Sequence, residues 1–80
     1  MSRQTPEDAW AEFAARYGVG DVVEGDVVSV EPSGAFVRVD DVDGLAPKPE
    51  WPVLPEVGST VRVRILAVDN DRERTAFGPA

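Results

Sequence analysis

Phe36 and Arg38 sit two residues apart in the stretch AFVRVD, and Arg62 and Arg64 sit two apart in STVRVRILAVD. On an extended strand, residues two apart share a face. An aromatic ring beside a guanidinium forms a surface on which a planar base can stack while a cation meets its phosphate. Arg74 adds a guanidinium at the start of the last apolar stretch, and Asp69 closes the stretch before it. Each of these residues also has a plainer reading. Phe36 could be a ring covering the core, Arg62 and Arg64 a solvated strand face, and Asp69 a cap for the polar turn at 70–73.

Other chemistries are poorly supplied. The chain has no Cys and no His, which removes thiolate and imidazole nucleophiles, bases and metal ligands. Glu50 and Glu56 offer no partner for paired-carboxylate catalysis. Asp40, Asp41 and Asp43 cluster in sequence but lack the spacing and glycine placement of a calcium loop. No glycine-rich phosphate cradle precedes a helix. The expectation is a non-enzymatic protein with no cofactor, no metal and no catalytic residues. Its 80 residues suit one small domain, and 42% apolar content fits a globular one. Eight basic against 15 acidic residues leave a formal charge of −7. That balance argues against strong, non-specific attraction to phosphate backbones, and any binding to them should be weak and salt-sensitive. No apolar run is long enough for a membrane span, and the N-terminus lacks the apolar core of an export signal. A cytoplasmic monomer is expected.

The elements that must position these residues follow from periodicity. Residues 5–17 read as a helix, with Thr5 as cap and Pro6 in the first turn. Trp10, Phe13 and Tyr17 form one aromatic stripe along it, and Gly18 and Gly20 stop it. The stripe should pack on the rest of the domain and close one end of it. Residues 21–31 read as a long strand with valines of both parities and a central Gly25, as in a strand curled between two faces of a small barrel. Strands at 35–40, 44–46, 59–69 and 74–77 follow, with a parity shift expected after Ile65. Residues 47–58 hold four prolines and read as a stiff loop with one helical turn near Pro55. The fold class is therefore mainly β: a five-stranded OB-fold barrel at 18–80 preceded by one N-terminal α-helix at 1–17.

The segments VGDVVEGDVVSVEPSGAFVRVDDVDGL (19–45) and VGSTVRVRILAVDNDRERTAF (57–77) resemble the S-one type RNA-binding domain, an OB-fold module named after a ribosomal protein. The resemblance implies binding of single-stranded RNA on one barrel face. At the family's contact positions, Phe36 matches the second of two aromatics, Asp69 the acidic residue and Arg74 the basic one. Ser33 stands where the first aromatic is usual, and Pro47 where a His is usual. Arg38, Arg62 and Arg64 complete the expected RNA-binding set, on strands whose faces could coincide as a local basic strip. The alternative is a protein-interaction module that has lost nucleic-acid binding. It would work through the helix or the Pro-rich loop, and it requires Trp10 or Trp51 to be well exposed in an apolar patch.

Overall fold

The computed structural model describes the backbone of residues 6–80 and the side chains from Asp8 onward, so the expected cap at Thr5 lies outside the described residues. Helix α1 (Pro6–Arg16) leads into five strands: β1 (Val22–Glu31), β2 (Gly34–Val39), β3 (Val42–Pro47), β4 (Thr60–Asp69) and β5 (Arg74–Pro79). They close into a barrel in the order β1-β2-β3-β5-β4, the five-stranded OB-type barrel with one N-terminal helix. Among the described residues no helix is long and apolar enough to cross a membrane.

The long first strand is shared between two partners. Residues 22–26 pair with β4, and residues 26–31 pair with β2 past a bulge at Val28. Gly25 faces inward at the crossover. A Cβ there would come within 2.8 Å of Val39 Cγ2 and 2.9 Å of the Arg38 carbonyl oxygen, so only glycine lets the strands cross this closely. The expected parity shift in β4 is a second bulge, between Ile65 and Ala67. It keeps Ile65 in the core and turns Leu66 outward.

Two elements differ from the sequence expectation. The third strand starts at Val42, because the chain turns back already at Asp40 and Asp41, both with positive φ (49° and 67°). This two-residue reversal, with Val39 opposite Val42, matches the twist of the flanking strands. The helical turn expected near Pro55 is instead a 3₁₀ turn at Lys48–Glu50. Trp51, before Pro52, is extended (φ −116°, ψ 114°), as a residue preceding proline prefers. The earlier segment is pinned by the Lys48 amide donating to the Ser33 carbonyl (3.0 Å) and by the Trp51 amide donating to the Lys48 carbonyl (3.1 Å).

Val27, Val37, Val39, Val63, Ile65 and Phe77 fill the barrel, each at most 2% exposed. Ala9, Trp10 and Phe13 of α1 join the same core. Phe13 stacks on Trp10 with centroids 5.6 Å apart and meets Phe77 edge-on at 6.4 Å. Helix α1 thus buries Trp10 and Phe13 of its stripe against the barrel core. Tyr17 donates its hydroxyl hydrogen to Asp40 (2.7 Å), and Arg16 pairs with the same carboxylate (3.1 Å), tying the helix end to the β2–β3 turn.

Gly44 supports this packing from β3. A Cβ there would run into the Phe77 ring and lie 2.8 Å from the Thr75 methyl. Gly44→Ala is expected to destabilise the fold by about 1–3 kcal/mol through overpacking, read as a lowered urea midpoint with unchanged slope. A neutral result would mean that the ring has room to move aside.

Candidate nucleic-acid interface

The β2–β3 hairpin sets the interface by simple alternation. Inward residues Ala35, Val37 and Val39 leave Phe36 and Arg38 on the outer wall. Counting back from the turn places Leu45 opposite Phe36 and Asp43 opposite Arg38. β5 then joins β3 in parallel, with Ala76 beside Leu45, which brings Arg74 level with Asp43. These strands enclose an open pocket of about 440 Å³ lined by Phe36, Leu45, Asp43, Arg74 and Thr75. Phe36 and Leu45 are partly buried and form its apolar floor. The Thr75 hydroxyl is already committed, donating to the Ala67 carbonyl at 2.8 Å.

The charges around this pocket alternate. Asp26 lies opposite Arg38, Arg38 opposite Asp43, Asp43 is level with Arg74, and Arg74 lies opposite Asp69. Arg38 donates to both carboxylate oxygens of Asp43, from Nε at 2.8 Å and Nη2 at 3.2 Å. Hydrogen bonding to Asp43, and then its charge, raises the Arg38 pKa above its ordinary value. Arg74 is exposed and, among the described residues, makes no ion pair. It is the uncommitted cation at the pocket. Asp69 Oδ1 accepts from the amides of Asp71 (3.1 Å) and Arg72 (3.3 Å), so it caps the β4–β5 turn, and Asp69 does not line the pocket.

Arg62 and Arg64 stand elsewhere. They lie on the β1–β4 wall, opposite Glu24 and Val22. Arg62 is exposed there, and Arg64 reaches the Gly20 carbonyl at 3.5 Å. The structure therefore brings Phe36, Arg38 and Arg74 together, sets Asp69 at their border, and leaves Arg62 and Arg64 on another side of the barrel. The expected single basic strip is replaced by two walls, because in the closed order β4 lies between β1 and β5 and adjoins neither β2 nor β3.

Asp43, Leu45 and Thr75 are not in the set expected from sequence, where Asp43 falls between the strands expected at 35–40 and 44–46. The hairpin register would have found the first two once the reversal was placed at Asp40 and Asp41. Ser33 and Pro47 meet at one end of the hairpin, where Gly34 pairs with Pro47. Neither supplies a ring for stacking. Among the described residues, no group of three acidic side chains is arranged to hold a metal ion.

Neither tryptophan is an exposed anchor. Trp10 is 6% exposed and donates its indole hydrogen to Asn70 Oδ1 (3.1 Å). Trp51 is partly buried and donates to the Phe77 carbonyl (2.9 Å). The protein-interaction alternative loses the feature it required.

A family model described as S1 RNA binding domain matches residues 16–78. Small ribosomal subunit protein bS1 of Mycolicibacterium smegmatis is 32% identical over 84 residues, covering 94% of this chain and 18% of that protein. The protein of the same name from Rhizobium meliloti is 36% identical over 86 residues, covering 95% of this chain and 15% of its own length. This chain thus spans less than a fifth of these relatives. The solution structure of GSP13 from Bacillus subtilis superposes with a TM-score of 0.70 at 30% identity, over 79% of this chain and 55% of that one.

Proposed function

The chain belongs to the S1 RNA binding domain family, and we propose that it is a non-enzymatic module that binds single-stranded RNA weakly on the Phe36 wall. The observation that carries this reading is the pocket in which an aromatic floor adjoins an uncommitted guanidinium. Phe36 stacks a base and Arg74 meets the adjoining phosphate. Arg38 contributes once a phosphate competes with Asp43 for it. Asp69 holds the turn from which Arg74 projects. Arg62 and Arg64 engage a strand long enough to leave the pocket and cross β4. The interleaved carboxylates and the charge of −7 keep affinity low and dependent on salt. The module acts as a monomer in the cytoplasm, the compartment suited to RNA partners like those of a ribosomal subunit protein.

Titration of short single-stranded RNA into isotope-labelled protein at two salt concentrations tests this. Amide shifts should cluster at Phe36, Leu45, Arg74 and Thr75 and shrink at higher salt. Silence on this wall at low salt and millimolar RNA would sink the proposal. Arg74→Gln is expected to weaken binding several-fold and flatten the logarithmic salt dependence by about 0.7. Arg62→Gln should weaken only the longer oligonucleotides.

A further inference from the structure

We propose that Asp43 selects the base that stacks on Phe36, favouring guanine and disfavouring uracil. This rests on the RNA-binding reading above and assigns the specificity of that same pocket. Among the described residues, Asp43 is the one carboxylate that lines it. It is a diagonal neighbour of Phe36 across the β2–β3 pair, within reach of the edge of a base lying on the ring.

Asp43 is also held in place. Arg38 takes one acceptor site on each of its oxygens, at 2.8 and 3.2 Å. A carboxylate has about four such sites, so both oxygens keep accepting capacity while the ion pair fixes their orientation. The side chain remains 43% exposed, so a ligand can reach it. A fixed, acceptor-only group beside a stacking platform reads hydrogen-bond donors.

The four bases differ in what they offer it. Guanine presents two adjacent donors, N1–H and the N2 amine, which match two carboxylate oxygens. Cytosine and adenine each present one amine with a ring-nitrogen acceptor beside it. Uracil presents N3–H between two carbonyl oxygens, so the second carboxylate oxygen meets an acceptor. The unmatched acceptors make uracil the poorest fit.

The experiment uses fluorescence anisotropy with hexauridine, with the same strand carrying one central guanosine, and with inosine in that place. The guanosine strand should bind about tenfold tighter than hexauridine. Inosine, which lacks only the N2 amine, should fall between them. Asp43→Asn replaces one acceptor by a donor and should bring guanosine and uridine strands to within about twofold of each other, whatever happens to overall affinity. Arg38→Gln keeps the carboxylate but frees its orientation, so it should lower affinity overall and reduce the guanosine preference without abolishing it. Measurable binding of all three strands with equal affinity would overturn the assignment while leaving RNA binding intact. A guanosine preference that survives Asp43→Asn would overturn it as well. If no strand binds, the RNA-binding reading itself fails, and base selection with it.

Discussion

Phe36→Ala is expected to weaken single-stranded RNA binding by about five- to 150-fold, because stacking one base on an aromatic ring is worth about 1–3 kcal/mol by truncation. The effect should be large here because one partner of the usual pair of rings is missing: Ser33 occupies the other position. The residual binding would rest on Arg74 and Arg38, and its salt dependence should be nearly that of the unaltered protein, since no phosphate contact is removed. Leu45 lies opposite Phe36 and is itself partly buried, so the wall retains an apolar floor that cannot stack. Anisotropy titration gives the affinity, and a thermal melt run in parallel gives the fold. Because Phe36 lies outside the buried core, the melt should move far less than for a core truncation. A loss of affinity below twofold would assign Phe36 to covering the barrel instead.

Phe77→Ala should have the largest effect on stability, about 3–5 kcal/mol. Phe77 is fully buried, meets Phe13 edge-on and abuts Gly44, so it joins the helix, β3 and β5. A domain of this size has about 4–12 kcal/mol in total. The variant should therefore lose much of its urea resistance and could be unfolded in part without denaturant. Strand β5 also carries Arg74, so RNA affinity should fall with the folded fraction rather than independently of it. Phe77→Leu keeps most of the volume and should recover the greater part of the loss. A cost below about 1 kcal/mol for the alanine variant would mean that the barrel and helix re-close over the space.

The legible part of this fold is the part carried by local pattern. Alternation in 35–39 and 61–65 decides which residues face inward, and the structure buries Ala35, Val37, Val39, Val63 and Ile65. The aromatic stripe of α1 announces its packing face, and Gly25 and the parity change after Ile65 announce the bends that close a barrel. Less legible was the Pro-rich segment. Its prolines exclude most structures without choosing among the remainder, and the choice fell to Trp51 donating to β5. The early reversal at Asp40 and Asp41 was also missed, since neither residue is the glycine that usually marks positive φ.

The site divides along the same line. Phe36, Arg38, Arg62, Arg64 and Arg74 were recognisable as surface residues, because strand parity and charge are local properties. Parity says whether a side chain points in or out, but not toward which side of a closed barrel. That depends on register, on the bulges at Val28 and Leu66, and on the short parallel contact of Leu45 with Ala76. Tertiary closure alone set Arg74 level with Asp43, left Arg62 and Arg64 on another wall, and reduced the expected basic strip to an alternating row with two arginines, of which Arg74 is, among the described residues, the uncommitted one at the pocket.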